Sequence, residues 1–378
     1  MPMPLTGMRV IEVCSNLAGP VTGTIFGDLG ADVIKVEKAN GGDDARGWAP
    51  LWDDHGAPFQ AINRNKRSVA LDFRKAEDVA KVKGLAADAD IFVHNMRPGA
   101  AESLGLSGAE MLALNPRLIY CAIGAYGEEG PWRERSAYDG LAQALSGQMS
   151  GNGFPDSEPL LVPGGVVDKG AGMWAAIATL GALVRRARTG HGAIVGTSLL
   201  EASLFWRDIG FAHYQATGEV ARPAGNTSVS IVPYGVFATE DGPVMLACAG
   251  DALFATLAAA LDRKDWLQDS RFATNNARVK HRDIVVPAIA DILKTRSRDY
   301  WIERLGKSRV PCAPILTVAE AHVHPQVQAI GIFQSPPGLD RPVISAPWKI
   351  DGVRPPVRAG APALGEGNST FLGGDDRE

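Results

Sequence analysis

The sequence predicts an α/β protein in which an open parallel sheet is joined to a smaller α+β unit. Three observations carry that reading. Apolar runs of strand length alternate with helix-length segments over the first 200 residues, and such alternation builds a parallel sheet with right-handed crossovers. Near Gly225-Asn226 the alternation gives way to a hairpin pattern followed by helical segments. Glycine and proline, 43 and 25 of 378 residues, exceed the roughly 12% these types ordinarily supply, which calls for many tight turns.

The elements follow in order. Residues 8–13 form an apolar strand, 16–20 a turn, the segment through Asp28 a helix and 32–37 a second strand. Pro20 is placed at the first helical position, where its missing N–H costs nothing. Strands over 68–73, 91–94 and 118–123 alternate with helices over 76–88 and near 109–114. A helix over 172–188 stops at Thr189-Gly190-His191-Gly192, a left-handed glycine stop, before a strand over 193–198 and an apolar helix from Leu199. Beyond Gly225, residues 232–249 turn at Glu240-Asp241-Gly242 and read as a hairpin, with helices near 253–261, 282–294 and 298–306. After Pro311 prolines recur to Pro362, which suits a long return connection over the surface better than a third core. The expected organisation is a large domain over 1–200 completed by about 335–378, a small domain over 225–315, and linkers at 201–224 and 316–334.

Composition bounds function. A net charge of −4 gives no general attraction for nucleic acid or an anionic membrane surface, so a polyanionic ligand must be met by local lysines and arginines. Cys14, Cys121, Cys248 and Cys312 lie too far apart in sequence for zinc spacing or a dense disulfide framework. The longest apolar run, 173–184, falls short of the ~18 to 20 residues that span a bilayer. The first residues lack the charged and apolar regions of a secretion signal. The reading is a cytoplasmic protein.

Three places could carry chemistry. A dinucleotide site needs paired glycines in the turn after the first strand and an acid ending the second. Glu37 supplies the acid, but the turn reads Ser15-Asn16-Leu17-Ala18-Gly19-Pro20, so a nicotinamide-dependent reading is a minor one. Basic residues gather on the carboxyl side of the strands: Lys38, Arg46, Asn63-Arg64-Asn65-Lys66-Arg67, Arg74 and Asn95-Met96-Arg97-Pro98-Gly99. Ligands of an open sheet bind outside those strand ends. Each residue alone reads as a solvated loop charge, but the group in an acidic chain points to a polyanion. Asp168 stands between Gly164-Gly165 and Gly170-Ala171-Gly172, just before the apolar helix. There it reads as an N-cap, while the flanking glycines also leave the room that a nucleophilic carboxylate needs. Metal and triad patterns are poor: His322 and His324 have only Glu320 nearby, no GxSxG elbow is present, and Cys14 ends an apolar strand as packing.

Leu5-x-Gly7-x-Arg9-Val10, Ala18-Gly19-Pro20, the run from Gly27 to Glu37, Asn65-Lys66-Arg67-Ser68, Asn95-Met96-Arg97-Pro98-Gly99, Asn115-Pro116-Arg117, Tyr138-Asp139, Asp168 with Gly172, Gly225-Asn226, Pro233-Tyr234 and Ala361-Pro362-x-Leu364-Gly365-Glu366 follow one another along essentially the whole chain. In that order they resemble the class III CoA-transferases, the CaiB/BaiF family that includes formyl-CoA transferase. The resemblance implies a Rossmann-like large domain, a smaller α+β domain and an interlocked, ring-like homodimer. It implies that coenzyme A lies against Asn16, Leu17 and Ala18, with Lys38, Leu71, Arg74, Asn95, Met96 and Arg97 around its adenine, phosphates and pantetheine. It also implies that Tyr138 and Asp139 meet the substrate and that Asp168 is the covalent carboxylate. Two departures stand out. Ser103 and Ser136 occupy places where formyl-CoA transferases carry basic residues, and the glycine-rich loop that those enzymes close over the nucleophile has no counterpart, Ser228-Val229 following Gly225-Asn226-Thr227 instead.

The activity so implied moves CoA from an acyl-CoA thioester to a free carboxylic or dicarboxylic acid through an aspartyl-CoA thioester. Such an enzyme is a transferase of sulfur-containing groups with no permanently bound cofactor and no metal. Two alternatives stay open. A 2-methylacyl-CoA racemase of the same superfamily pairs the aspartate position with a histidine; Tyr138 stands there, and a phenol of pKa ~10 is a poor base at neutral pH. A non-catalytic CoA-ester-binding protein is disfavoured by the retention of Asp168 among glycines.

Overall fold

Six parallel strands carry the larger of two units: β1 (Arg9–Val13), β2 (Asp32–Lys38), β3 (Lys66–Leu71), β4 (Ile91–His94), β5 (Ile119–Gly124) and β6 (Ala193–Ser198). Their order across the sheet is β3-β2-β1-β4-β5-β6. The computed structural model describes residues 3–52, 55–220 and 222–373. The larger unit comprises Met1–Met149, Leu161–Val220 and Ile330–Glu378, the smaller one Ser150–Leu160 and Ala221–Ala329. No helix among the described residues is long and apolar enough to cross a membrane.

Helices α1 (Ala18–Asp28), α2 (Ala76–Ala87), α3 (Gly108–Leu114), α4 (Asp139–Leu145), α5 (Val166–Thr189), α6 (Leu199–Phe205) and α7 (Asp208–Thr217) complete the larger unit's main elements. The strands read as near-continuous apolar runs because both faces of the sheet are covered. Val10, Ile91, Val93, Ile119 and Cys121 pack with α1 and α5, while Ile11, Ile34, Phe92 and Tyr120 pack with α2 and α3. Residues from Ile330 onward return to this unit, where Arg358 Nη2 donates to the Gly27 carbonyl (2.8 Å) and the Gly367 amide to that of Ser68 (2.8 Å).

α5 begins at Val166 rather than near 172. Gly170 and Gly172, which read as loop residues, lie inside it because neighbours leave no room for a side chain. A Cβ at Gly172 would stand 2.5 Å from the Ala18 carbonyl oxygen, and one at Gly170 2.7 Å from Trp206 Nε1. Thr22 Oγ1 donates to the Gly172 carbonyl (3.0 Å) across the same contact, so α1 and α5 pack almost backbone to backbone. Asp168 is therefore the third residue of α5 and Gly165 its N-cap. Pro20 is likewise the third residue of α1, a position whose amide also lacks a helical partner.

The connections differ from expectation too. Residues 201–224 hold most of α6 and all of α7 instead of a linker. α6 packs into the core through Leu199 and Ala202, but Phe205, Ile209, Phe211 and Tyr214 are exposed and none of α7 is buried among the described residues, so no core marks the periodicity of α7. The expected linker 316–334 contains short helices at Val318–Val323 and Pro325–Ala329 within the smaller unit. Ser150–Leu160 also belongs to that unit, where the Gly225 amide donates to the Gly153 carbonyl (2.8 Å).

The smaller unit is built on the antiparallel strands β7 (Tyr234–Ala238), β8 (Pro243–Ala247) and β9 (Cys312–Pro314), with α8 (Asp251–Ala260), α9 (Arg282–Leu293) and α10 (Arg298–Lys307). Its core gathers Phe237, Leu246, Phe254, Trp266, Phe272 and Trp301.

Candidate active site

The chain leaves β1 toward β2 and leaves β4 toward β5, so the winding of the sheet reverses between β1 and β4. Their loops part at the carboxyl ends and leave a crevice, the usual ligand site of an open α/β sheet. A cavity of about 470 Å³ lies there. Asn16, Leu17, Ala18, Lys38, Asn95, Met96, Arg97, Tyr138 and Asp168 all line it.

The wall after β1 is a braced turn. The Ser15 amide donates to Asn95 Oδ1 (3.0 Å) and Asn95 Nδ2 donates back to the Ser15 carbonyl (2.8 Å), which ties the loops of β1 and β4 across the reversal. Asn16 is left-handed (φ 66°) and gives its amide to Asp43 Oδ1 (2.9 Å). On the other wall, His94 Nδ1 accepts from the Met96 amide (3.3 Å). Tyr120 donates to the Leu106 carbonyl (3.0 Å), so the hydrogen shared with His94 Nε2 (2.7 Å) sits on the imidazole. Burial pushes His94 down to about 4, and the neutral ring holds the Met96 loop.

Leu71 and Arg74 lie outside the cavity. β3 ends at Leu71, which is buried in the sheet core, and Arg74 is an exposed residue locked onto Asp72 by two 2.9 Å bonds. Phe73 takes their place in the wall. Ser136, which stands where formyl-CoA transferases carry a basic residue, lines the cavity as well; Phe73 and the segment 123–125 were not anticipated, and the end of the strand over 118–123 was the visible signal for the latter.

Most of the basic group is neutralised inside the unit. Arg46 grips Glu37 through two bonds (2.8 and 2.7 Å), Arg64 binds Asp28, Lys66 binds Glu12 and Arg67 binds Asp32. Glu37 is thereby no ribose acid: burial pushes its carboxyl up, but Arg46, Lys35 and Ser68 together hold it below its usual range. Lys38 lines the cavity at its rim, paired with Asp44 at 2.6 Å. Arg97 carries no ion pair among the described residues.

Asp168 is set apart by Asp139. Asp139 does not line the cavity; its Oδ2 accepts the amides of Val167 (2.7 Å) and Asp168 (3.1 Å), and its Oδ1 accepts from Gln143 Nε2. The cap that a sequence reading gives to Asp168 is thus supplied from α4. Gly165 adopts a left-handed φ of 64°, and a Cβ there would collide with Leu17, so the start of α5 abuts the β1 turn directly. The Lys169 amide bonds the Gly165 carbonyl (2.9 Å), so the amides of Val167, Asp168 and Lys169 are all engaged within the protein. The half-buried Asp168 carboxylate itself receives no hydrogen bond among the described residues. Burial, and then the negative charge of Asp139, push it up to about 7.

A carboxylate without hydrogen bonds beside a pocket at the sheet reversal can act chemically as a nucleophile. Residues 5–368 match the description "CoA-transferase family III". The chain belongs to CoA-transferase family III. It is 34% identical over 365 residues to acetyl-CoA:oxalate CoA-transferase of Acetobacter aceti, covering 96% of this chain and 93% of that protein. It is 34% identical over 385 residues to succinate–glutarate CoA-transferase of Agrobacterium fabrum, covering 98% and 95%. A crystal structure of a CAIB/BAIF family protein from Brucella suis superposes with a TM-score of 0.89 at 35% identity, over 99% of both chains. The α/β fold with a Rossmann-ordered sheet and the CoA-transferase activity follow for this family III transferase.

Proposed function

We propose that the protein transfers CoA from an acyl-CoA thioester to a small dicarboxylic acid, with Asp168 as the covalent carrier. The observation that carries the reading is the division of labour between two aspartates: Asp139 caps α5, and Asp168 is left with an unbonded carboxylate in the cavity wall. The ionised Asp168 attacks the donor thioester carbonyl, forming a mixed anhydride as the C–S bond breaks and CoA leaves as thiolate. The thiolate attacks the aspartyl carbonyl, giving an aspartyl-CoA thioester and the free donor carboxylate. An acceptor carboxylate runs both steps in reverse, and Asp168 is regenerated. Thioester energy is kept as long as water is excluded from the two intermediates.

The start of α1 supports a phosphate or pantetheine site on the braced turn, because the first helical amides lack backbone partners. Arg97 supplies a free cation, and relatives named for oxalate and glutarate transfer favour dicarboxylic acids. The racemase alternative gains nothing: no histidine among the described residues lines the cavity, and His94 is held neutral behind the wall. Incubation with a panel of acyl-CoA esters followed by intact-protein mass spectrometry is expected to show a CoA adduct on wild-type protein. Absence of any adduct, together with absence of transfer between acids, would falsify the reading.

Arg97→Ala is expected to raise KM for CoA esters about tenfold with a smaller effect on kcat, since a binding cation acts equally on ground and transition states. Lys38→Ala should do less, because Asp44 already compensates Lys38. Steady-state kinetics check both, and an unchanged KM for Arg97→Ala removes it from the site.

The same reading includes a homodimer in the cytoplasm. Its support is the apolar surface of α5 to α7, where Met173, Ile177, Phe205, Trp206, Ile209 and Phe211 are exposed, more than a lone soluble chain ordinarily leaves uncovered. The four cysteines are free thiols, as a reducing compartment requires. Sedimentation at micromolar concentration is expected to give twice the chain mass; an active monomer would refute the dimer.

A further inference from the structure

β1 carries a carboxylate where its register calls for an apolar residue. Glu12 shares a sheet face with Val10, yet it is fully buried, as are the side chains of Lys35, Asp43 and Lys66. α1 makes room for it at Gly23, where a Cβ would collide with Glu12 Oε2. The four charges form one chain. Lys66 Nζ lies 2.8 Å from Glu12 Oε2, and Lys35 Nζ lies 3.0 Å from Glu12 Oε1 and 2.8 Å from Asp43 Oδ2. Two positive and two negative groups leave the chain neutral.

Apart from the Ala45 amide, which Asp43 Oδ1 also accepts (3.0 Å), its contacts to the backbone fall on one turn. Lys35 Nζ donates to the Cys14 carbonyl (2.8 Å), where β1 ends. Lys66 Nζ donates to the Pro20 carbonyl (2.7 Å), inside the first turn of α1. Asp43 Oδ1 accepts the amide of Asn16 (2.9 Å), the residue held in the left-handed region that non-glycine residues avoid. A buried ion network gives little stability that apolar packing of equal volume could not give. What apolar side chains cannot supply is two donors and one acceptor at three points along seven residues of backbone. Burial works against the arrangement, pushing Lys66 down to about 8, whereas Glu12 and Asp43 together overcome it at Lys35 and hold that amine above its usual range.

We propose that Glu12, Lys35, Asp43 and Lys66 are positioning residues, a neutral buried clamp that holds the turn from Cys14 to Pro20 in the shape against which coenzyme A binds. The proposal rests on the reading of that turn as the CoA wall. Glu12 anchors both lysines, Lys35 and Lys66 fix the two ends of the turn, and Asp43 fixes its left-handed centre. The clamp acts before substrate arrives, so it contributes to binding by preorganisation.

Single substitutions leave a buried charge unpaired and are expected to unfold the chain, so the test uses neutral pairs. Lys35→Met with Asp43→Asn, and Lys35→Met with Asp43→Ala, both keep the Glu12–Lys66 pair and zero net charge. The asparagine still accepts the Asn16 and Ala45 amides that Asp43 accepts; the alanine accepts neither. Both double variants are expected to fold, with the alanine form showing a Kd for free coenzyme A and a KM for the acyl-CoA donor about tenfold above the asparagine form, as loss of an ordering contact allows. Its kcat should change less than KM, and amide exchange in a peptide spanning residues 15–17 should speed up while the β4 peptide stays protected. Equal Kd values and equal exchange in the two variants would overturn the clamp, as would an affinity loss that merely follows melting temperature across both. If wild-type protein neither binds coenzyme A nor transfers it, the functional reading fails, and the exchange comparison still decides whether the clamp holds the turn.

Discussion

Asp168→Asn is expected to fold, to bind CoA esters and to lose CoA transfer by a thousandfold or more. The amide has no anionic oxygen with which to open a thioester, so no anhydride and no aspartyl thioester can form. The structure removes the competing account, in which the loss would reflect a missing helix cap. Asp139 receives the amides of Val167 and Asp168, and Asp168 has no bonded role to lose. The variant should in fact be more stable than the wild type in mild alkali. A carboxyl whose folded pKa of about 7 lies above its ordinary value disfavours the folded state once pH exceeds that ordinary value, and the penalty is complete above pH 7. A three-unit shift would amount to about 4 kcal/mol, which solvent screening of a half-buried group reduces to about 2 kcal/mol. Melting at pH 8 should therefore favour Asp168→Asn, and the difference should vanish as pH falls toward 4. A variant that is inactive but less stable at pH 8 would return Asp168 to a structural role, and one that still transfers CoA would end its candidacy.

The sheet was legible because both its faces are buried: runs such as Val33–Ile34 and Ile91–Phe92–Val93 announce strands without any knowledge of partners. Asp168 was legible as a residue of interest through its flanking glycines. Its freedom was not, because that depends on Asp139, which is close in space but separated by a loop with no periodic signal. The start of α5 was misplaced for a related reason. Gly170 and Gly172 look like loop until Trp206 and Ala18 are known to press against them. The basic cluster misled in the opposite direction. Arg46, Arg64, Lys66 and Arg67 are solvated charges or ligand contacts in a one-dimensional reading, and only the fold shows each one delivered to a carboxylate on a neighbouring element. Exposed apolar residues on α6 and α7 escaped because their burial, if a second copy supplies it, is not written in the contacts of a single chain.

Asp139→Asn is expected to move the pH dependence of catalysis without abolishing it. In the proposed mechanism the first covalent intermediate forms from ionised Asp168, so kcat/KM for the acyl-CoA donor should fall as pH drops through about 7 in the wild type. Burial is the larger cause of that raised value and the charge of Asp139 the second. Asparagine keeps an oxygen for the Val167 and Asp168 amides but removes the charge, and the acid limb should shift downward by about one unit while staying above the ordinary carboxylate range. At pH 6 the wild type holds roughly a tenth of Asp168 ionised and the variant roughly half, so Asp139→Asn should be about fivefold faster there and no faster at pH 8. Asp139→Ala separates charge from capping. It frees two amides at the start of α5, costs about 1 kcal/mol as a lost cap, and lets the Asp168 carboxylate turn back to bond them. A carboxylate that accepts its own helix amides becomes a weaker nucleophile with a depressed pKa, so the alanine variant should lose activity by roughly ten- to a hundredfold at pH 8, where the asparagine variant loses none, and the deficit should narrow toward pH 5 as its acid limb falls below that of the wild type. Stopped-flow measurement of CoA release between pH 5 and 8, from about one unit above the ordinary carboxylate range upward, distinguishes the outcomes. An acid limb that stays near 7 in Asp139→Asn would mean that burial alone sets Asp168 and that Asp139 serves only as a cap.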